Sequence, residues 1–461
     1  MNAVSLRCLL AVACEKGWPI KQLDVSVAYL NSFLESDIRL YLTPPPGLYV
    51  PKGHACLEKK GLYGLCQSGH RWAVLKAQTL RELGFRRSGA EPCLWIRNDH
   101  RGTVITGVIV DDFVITGDSE KSCNIFANEL MKAWDCTYIG DLEWCINLRV
   151  QRDFDKGTLT VDQSEYIDEI VERFNMQDAA PISTPADPSV QLSQSMGPAN
   201  KDEEQRMKKI PYSSAVGSVL YTRLTRIDCL AAIAEVARFM SNPGLKHWQA
   251  VKRILRYLKA TRFWGLCYTR SLKPGKWTLT LYVDSGFAMD PDGRKSRYGY
   301  IIYLNNNPVA FGTGLTKLTA PSTPAAEYIA MAHGLKELLW TYQTLLTMGI
   351  NIALPMQVLE DNQACIQIAD NPISQRRSRY IDIRYHFIRD YVENGTITLK
   401  YCKTADMLAD IMTKSMNKAI FERLRNKIIG DVMAFIHGDL LVSIAYCRSI
   451  YRSITSTLYD K

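Results

Sequence analysis

Two adjacent aspartates, Asp111 and Asp112, interrupt an apolar stretch of the sequence, and they constrain the fold more than any other feature. Residues 108–110 and 113–115 on either side are apolar, which predicts two buried strands joined by a tight turn that carries both carboxylates. Because crowded or buried like charges destabilise each other, such a pair normally needs a cation. A solvent-exposed turn is the alternative, but Asp24 in a second strand-like segment argues against it. An Asp-Asp turn that binds a divalent metal ion is what two-metal phosphoryl chemistry requires.

Length, net charge and cysteine content limit the classes of protein to which this chain can belong. The chain has 461 residues, enough for two or three domains with sizeable cores. Its formal net charge of +9 and its pI near 8.8 favour a polyanionic partner. It has 13 cysteines and no CxxC pair, which argues for reduced thiols in an intracellular compartment and against a disulfide framework or a zinc site.

Two apolar segments resemble a secretory signal or a membrane span, but each lacks a feature that such a segment requires. Residues 6–14 lack a basic start, so we expect a buried helix that leads into the Asp24 strand. Residues 432–447 carry His437 and Asp439 near their middle and are too short for a membrane span. We therefore expect no stable membrane association, and we assign no role to the tail at residues 416–461.

Several motifs, in order along residues 5–425, resemble the Pol polyprotein of copia-type (Ty1/copia) long-terminal-repeat retrotransposons. The motifs that support this resemblance in the first half of the chain are QLDVSVAYLN (22–31), GLYGLCQSGHRW (61–72), GFRRSGAEPCLWIR (84–97), IVDDFVITGD (109–118) and YSSAVGSVLY (212–221). The resemblance implies a reverse transcriptase palm in which Asp24, Asp111 and Asp112 hold Mg²⁺ (or Mn²⁺). Tyr29 would lie under the incoming sugar as the gate against ribonucleotides, and Gln67 would contact substrate.

The middle of the chain contains a polar stretch and a helix. Residues 179–209 are rich in Pro, Ser and charge, which predicts a linker or a long surface loop. Within residues 245–265, apolar residues recur at the i, i+3, i+4 and i+7 spacing of a helix, at Val251, Ile254, Leu255 and Leu258. Another face of the same helix carries three basic residues, Lys252, Arg256 and Lys259. This basic face is either simply solvated or contacts nucleic-acid phosphates as part of a thumb or connection element.

Beyond residue 273 the predicted elements follow the order of the ribonuclease H fold. A strand with period-2 alternation at 277–283 precedes a hairpin, 300–304 and 309–312, and a long helix from Pro324 to Gly349. Ser322 or Thr323 is the candidate N-cap of this helix, with proline in its first turn. The apolar face expected for this helix is Tyr328, Ala332, Leu335, Leu339, Tyr342 and Leu346. The remaining prediction is strand 356–360, helix 362–369, basic loop 376–379, helix 380–393, strand 396–401 and helix 405–414.

Four carboxylates fall where these elements would converge: Asp284, Glu327, Asp361 and Asp410. Such a set suits two Mg²⁺ (or Mn²⁺) ions, hard cations that prefer oxygen ligands and that would activate water and stabilise the leaving 3′ oxygen. The motifs YVDSGFA (282–288), TPAAEYIAM (323–331), LEDNQAC (359–365) and MLADIMTK (407–414) resemble the ribonuclease H of the same family. The neighbouring acids Glu360 and Asp406 are interpreted as surface residues. Substrate contacts are also expected from Arg376, Arg377, Arg379 and His386.

The sequence departs from the family pattern in ways that bear on activity. Ile109 stands where the YVDD motif has Tyr, and Cys66 replaces the Lys of SLYGLKQSP. The chain begins shortly before Asp24, whereas the family's fingers, with the cations that grip the triphosphate, lie upstream. We therefore expect DNA synthesis to be impaired in a truncated copy of this kind, while ribonuclease H chemistry is retained.

The sequence thus predicts an α/β (α+β) protein in which a polymerase palm/thumb remnant precedes a ribonuclease H-like domain. The expected domains are the palm at 1–175, a linker and helical thumb or connection region at 176–272, and the ribonuclease H-like domain at 273–415. The resemblance implies RNA/DNA hybrid, RNA template, DNA primer and dNTP as partners, in the cytoplasm (virus-like particle) or nucleus. The rival interpretations are a catalytically inactive nucleic-acid-binding relic and a stand-alone ribonuclease H.

Overall fold

The computed structural model describes residues 1–35, 37, 39–271, 275–370 and 382–437. The chain divides into two compact units, Met1–Leu142 and Glu143–Lys461. Both units combine helices with sheets, which confirms the predicted α/β (α+β) class. Among the described residues, no helix is both long and apolar enough to cross a bilayer. The twelve cysteines that lie in the described ranges are all free thiols.

The first unit is built on a six-stranded sheet with the strand order β4-β5-β6-β7-β1-β8. Its strands are β1 Ile20–Val25, β2 Leu40–Leu42, β3 Cys56–Glu58, β4 Arg86–Arg87, β5 Leu94–Asp99, β6 Gly102–Ile109, β7 Asp112–Gly117 and β8 Cys136–Asp141. Its helices are α1 Ala3–Lys16, α2 Cys66–Glu82 and α3 Glu120–Ala133. The short strands β2 and β3 form a separate ribbon.

Apolar residues on both faces of the large sheet explain why the Asp-Asp hairpin forms. Phe113 and Ile115 of β7 are fully buried in a core that also contains Trp72 of α2 and Phe126 of α3. Helix α1 contacts β6 and β7 and buries residues 4–14, which confirms the predicted buried helix. The β6–β7 hairpin is therefore covered by packing on both sides, and its polar turn is left at the sheet edge.

The second unit contains two five-stranded sheets. One has the order β18-β12-β11-β10-β9 and the other has the order β15-β14-β13-β16-β17. The strands are β9 Trp144–Cys145, β10 Leu148–Asp153, β11 Thr158–Asp162, β12 Trp264–Thr269, β13 Leu279–Gly286, β14 Arg297–Leu304, β15 Asn307–Leu315, β16 Met356–Glu360, β17 Ile397–Tyr401 and β18 Gly430–Asp431. The helices are α4 Ser164–Arg173, α5 Lys201–Lys208, α6 Tyr212–Tyr221, α7 Leu230–Ala237, α8 Leu245–Ala260, α9 Thr323–Thr347, α10 Gln363–Asp370, α11 Asp382–Glu393, α12 Lys418–Ile428 and α13 Val432–His437.

The sheet formed by β13–β17 follows the predicted order of strands and helices, with three antiparallel strands followed by two parallel ones. Strand β13 pairs antiparallel with β14, and β14 pairs with β15, whereas β16 lies parallel to both β13 and β17. Helix α9 begins at a Ser322 N-cap with proline in its first turn, as predicted, and packs on β13 and β14. This is the strand arrangement of the ribonuclease H fold, so the predicted order is confirmed.

Two local predictions in this region are wrong. The second half of α9 buries Leu338, Thr341 and Leu345, whereas the predicted Leu339, Tyr342 and Leu346 are only half-buried. The segment predicted as helix 405–414 forms two 3₁₀ helices, Thr404–Asp406 and Leu408–Met412, with extended Met407 between them. All five residues of the second 3₁₀ helix are buried, because it packs on both β13 and β14 and presents no solvent face. An amphipathic helix pattern cannot describe such a segment.

The polar stretch 179–209 lies within the second unit, where residues 201–208 form α5, and it is not a linker between compact units. Arg253 donates to Thr184 Oγ1 (2.9 Å), and the His247 ring contacts the Ser193 carbonyl (3.1 Å). Strand β12 pairs with both β11 and β18, so one sheet joins residues on both sides of the predicted boundaries at 175/176 and 415/416. The predicted domains stay a functional prediction, while the compact units divide at 142/143.

Candidate functional site

Strand register brings two of the three predicted palm aspartates together. Asp24 of β1 lies directly opposite Asp112 of β7 in an antiparallel pair. Asp111 occupies the turn before β7, and its carbonyl accepts a hydrogen bond from Val25 N (3.1 Å). The three residues therefore sit at one end of two adjacent central strands, as the sequence predicts.

The turn that carries Asp111 is held in an unusual backbone conformation. Val110 has φ of 55°, a left-handed value that a β-branched residue adopts only when its surroundings impose it. The indole Nε1 of Trp72 donates to the Val110 carbonyl (2.9 Å), and that indole is buried in the core below. The orientation of Asp111 is thus set by α2 as well as by the hairpin.

The electrostatics of this cluster disfavour three negative charges without a cation. Burial, followed by the charges of Asp112 and Asp111, raises the pKa of Asp24. Asp112 Oδ1 accepts from Gln22 Nε2 (3.1 Å), but Asp111 Oδ1 is buried without a hydrogen-bond partner. An orphaned carboxylate oxygen beside two further carboxylates fits the donor set of a hard divalent cation.

Tyr63 is a member of this cluster that sequence reasoning missed. Its hydroxyl donates to Asp111 Oδ2 (2.7 Å), and this hydrogen bond raises the pKa of Tyr63 to about 12. Its ring packs against that of Tyr29 with centroids 4.5 Å apart, and the role of Tyr29 under the incoming sugar stays a prediction. The only sequence signal for Tyr63 is its place in the GLYGL segment. Gln67 is half-buried in the first turn of α2.

The second unit gathers all four carboxylates predicted for ribonuclease H chemistry. Asp284 lies in β13 and Asp361 directly follows β16, and these strands are parallel neighbours whose carboxyl ends meet at one edge of the sheet. Glu327 comes from the start of α9, and Asp410 from the second 3₁₀ helix. Oxygens of Asp284, Asp361 and Asp410 all lie within 4.8 Å of one another.

Glu360 also belongs to the cluster, so its interpretation as a surface residue is wrong. Its side chain is fully buried, and oxygens of Glu327, Glu360 and Asp361 form a second group within 4.8 Å. Val358, Leu359 and Glu360 are all buried because β16 is a central strand covered on both faces. Period-2 alternation therefore carries no information about which residue points to the site. Asp406 is half-exposed and pairs with Lys427 (2.8 Å).

These carboxylates hold their protons tightly in the absence of a cation. Burial, followed by the charges of Glu360, Asp284 and Asp361, raises the pKa of Glu327 to about 11. Burial and then Asp284 raise the pKa of Asp410 to about 7. Burial likewise raises the pKa of Asp361 and Glu360. A divalent cation would remove the repulsion that produces these shifts.

Two further side chains complete the geometry around Asp284. The hydroxyl of Thr413 donates to Asp284 Oδ2, and Lys414 Nζ lies 2.9 Å from Asp410 Oδ1 and 3.9 Å from Asp284 Oδ2. Neither was predicted, although both stand in the MLADIMTK motif. Asp284, Glu327, Asp361 and Lys414 line an open cavity of about 530 Å³. The carboxylates are thus buried but reachable from solvent.

The predicted basic face of α8 has contacts within the chain. Arg256 Nε donates to the Ala180 carbonyl (2.7 Å), and Lys259 Nζ donates to the carbonyls of Gln177 and Ala179. Lys252 lines a neighbouring cleft of about 1150 Å³. Arg376, Arg377 and Arg379 lie outside the described residues. His386 falls in α11, but its side chain also lies outside them, so these substrate contacts stay a prediction.

Comparison with known proteins adds the family context. Residues 1–188 match the family described as reverse transcriptase (RNA-dependent DNA polymerase). The chain is 33% identical over 434 residues to the retrovirus-related Pol polyprotein from transposon TNT 1-94 of Nicotiana tabacum, covering 93% of this chain and 32% of the relative. It is 33% identical over 433 residues to the Pol polyprotein from transposon RE1 of Arabidopsis thaliana, covering 93% of this chain and 28% of the relative. The chain therefore spans about a third of the length of these curated relatives.

One of the solved structures that resemble this chain is an N-terminal RNase H domain from Mycobacterium tuberculosis fused to maltose-binding protein. It is matched over 32% of this chain and 96% of that chain, with 13% identity and a TM-score of 0.22. A TM-score of that size supports no argument about the fold, which rests here on the strand order of β13–β17.

Proposed function

We propose that the chain is part of a copia-type retrotransposon Pol polyprotein and that it combines RNA-directed DNA synthesis with ribonuclease H cleavage of the RNA strand of RNA/DNA hybrids. The single observation that carries the proposal is the convergence of Asp284, Glu327, Asp361 and Asp410 at one edge of a sheet with ribonuclease H strand order. The partners we propose are RNA template, DNA primer, dNTP and RNA/DNA hybrid, and the location is a virus-like particle in the cytoplasm, or the nucleus.

For hybrid cleavage we propose that the four carboxylates hold Mg²⁺ (or Mn²⁺). When bound, such ions supply an activated water and positive charge at the leaving oxygen. The chain supplies the positioning: Thr413 holds one oxygen of Asp284 by a hydrogen bond, and the strand ends fix Asp284 against Asp361. Lys414, beside Asp410 at the cavity wall, would attract the phosphate of the RNA strand.

For DNA synthesis we propose that Asp24, Asp111 and Asp112 hold the same kind of cation. Tyr63 orients Asp111 through its hydroxyl, and Tyr29 packs on Tyr63, so the aromatic pair forms a wall beside the carboxylates. This wall suits the proposed role of Tyr29 against the incoming sugar. The helix cations Lys252, Arg256 and Lys259 stay a proposal for phosphate contact, which would make binding salt-dependent.

The decisive experiment is Mg²⁺-dependent cleavage of an RNA/DNA hybrid by the purified chain, compared with the Asp361→Asn variant. We expect cleavage to fall by orders of magnitude in the variant, because it removes a charge shared by both carboxylate groups. Asp155→Asn, on an exposed turn, is the matched control and should cleave normally. Circular dichroism checks that both variants fold. Undiminished cleavage by Asp361→Asn would refute the assignment.

The rival interpretation as an inactive nucleic-acid-binding relic is not favoured, because both sets of carboxylates are retained and gathered. Binding of the hybrid without cleavage by the wild-type chain would support that rival. Primer extension on an RNA template, lost in Asp111→Asn, tests the polymerase part separately.

A further inference from the structure

Glu360 is a buried acid that the four-carboxylate proposal does not use. It is the last residue of β16, and its side chain is fully buried. Its Oε1 accepts a hydrogen bond from the Asn362 backbone N–H (3.1 Å), whereas its Oε2 has no hydrogen-bond partner. A carboxylate that is closed to solvent and half unsatisfied needs a compensating group, because a buried polar atom without a partner is destabilising.

A second buried carboxylate in the same cluster also has an oxygen without a hydrogen-bond partner. Glu327, only 4% exposed, also has a buried Oε2 without a hydrogen-bond partner. Oxygens of Glu327, Glu360 and Asp361 lie within 4.8 Å of one another. Lys414 contacts Asp410 and Asp284, two carboxylates outside this group. The group of Glu327, Glu360 and Asp361 thus contains two buried oxygens without a hydrogen-bond partner.

We propose that Glu327, Glu360 and Asp361 form a cation site of their own, on the inner side of Asp361, in which Glu360 is a fifth carboxylate ligand. Three carboxylates and no sulfur or imidazole make it a site for a hard divalent ion such as Mg²⁺ or Mn²⁺. Glu327 and Asp361 line the open cavity, so an ion can enter past them to reach Glu360.

Charge balance supports the same assignment. Among the described residues, the five carboxylates and the Lys414 ammonium leave four excess negative charges, which two divalent ions would balance. Asp361 belongs to both carboxylate groups, so ions in the two groups would share it as a ligand. The inference deepens the proposed hybrid cleavage, on which its catalytic relevance rests, but binding of the cation is measurable without any nuclease assay.

The test uses Mn²⁺ alone as the probe and the full chain, with bound Mn²⁺ counted by electron paramagnetic resonance and its affinity measured by calorimetry. Glu360→Gln keeps the side-chain volume and the Oε1 acceptor and removes the charge. We expect this variant to bind one Mn²⁺ fewer per chain than wild type, or to bind it at least about tenfold more weakly, a difference of about 1.4 kcal/mol. Glu172→Gln, exposed on α4, is the matched control and should bind as wild type does.

Unchanged stoichiometry and affinity in Glu360→Gln would overturn the inference and leave Glu360 as a protonated neighbour of the site. Glu360→Met, of similar volume and without oxygen, is a second variant with the same expected loss. Hybrid cleavage abolished by Asp361→Asn, together with unchanged Mn²⁺ binding by Glu360→Gln, would defeat this inference alone. Loss of one Mn²⁺ in Glu360→Gln, with no cleavage by wild type, would defeat the proposed nuclease alone.

Discussion

Arg226 and Asp228 form an ion pair that is closed to solvent within the second unit. The guanidinium donates to both carboxylate oxygens of Asp228 (3.0 and 2.8 Å) and to the Thr261 carbonyl (3.0 Å). The Tyr257 hydroxyl donates to Asp228 Oδ2 (2.5 Å). Burial by itself would raise the pKa of Asp228, but the adjacent Arg226 and the hydrogen bonds lower it below its usual range. Such a network ties α8 to the segment before α7.

Asp228→Asn is expected to lower the free energy of unfolding by about 3–5 kcal/mol, because it leaves the Arg226 charge buried without a partner. The matched control is Asp168→Asn, which breaks the exposed pair of Asp168 and Arg262 (3.0 Å) and should cost about 0–1 kcal/mol. Urea unfolding followed by tryptophan fluorescence measures both. Equal losses in the two variants would show that burial of the Arg226 pair contributes nothing.

At the level of elements, α8 and the loop that begins at residue 177 depend on each other. The apolar face predicted for α8 is completely buried, at Val251, Ile254, Leu255 and Leu258. Arg256 and Lys259 lie half-buried on the opposite side and donate to three carbonyls of residues 177–180. The basic face therefore has a structural role within the chain, whether or not it also contacts phosphates.

Replacing Arg256 and Lys259 together by alanine is expected to release residues 177–180 from α8. The lost hydrogen bonds involve charged donors, so the free energy of unfolding should fall by roughly 1–3 kcal/mol. Hydrogen exchange should accelerate in the 177–187 segment. Lys252→Ala, a change of the same kind on the same helix, is the control and should leave exchange there unchanged. Equal protection in the double variant and wild type would count against this role.

For the molecule as a whole, the raised pKa values of the carboxylate cluster predict a stability that depends on pH. The folded-state pKa of Glu327 (about 11) and of Asp410 (about 7) lie above their ordinary values of 4.5 and 3.8. The folded chain therefore holds these protons more tightly than the unfolded chain. The contribution of these two groups to stability is fully present below the ordinary values and is lost as pH rises toward the folded-state values. Bound cations should offset this loss.

We expect the melting temperature of the metal-free chain to fall between about pH 5.5 and about pH 8. Mg²⁺ should raise the melting temperature more at the higher pH. When the Mg²⁺ concentration is about 100 times its Kd, each bound ion should add about 2.7 kcal/mol to the free energy of unfolding. Calorimetric melts in EDTA and in Mg²⁺ at both pH values measure this. Asp361→Asn should reduce the gain. A gain that does not change with pH would contradict the coupling of these carboxylates to the cation.

Interactions between residues that are close in sequence could be predicted from the sequence alone. The β6–β7 hairpin around Asp111 and Asp112, the buried face of α8 and the N-cap of α9 all follow from hydrophobic periodicity and from local turn and capping chemistry. The order of the strands then placed Asp284 and Asp361 at adjacent carboxyl ends, because parallel neighbours end at the same edge of a sheet.

Only the tertiary structure decided the rest. Glu360 enters the site because β16 is covered on both faces, and the 408–412 segment is a 3₁₀ helix because it packs on two strands at once. The hydrogen bond from Tyr63 to Asp111 and the contacts of Arg256 with residue 180 join segments separated by 48 and 76 positions. Local periodicity reports which face of an element is apolar. It carries no information about which distant residues meet a buried polar atom, and in this chain those meetings set the burial and the pKa values of the carboxylates.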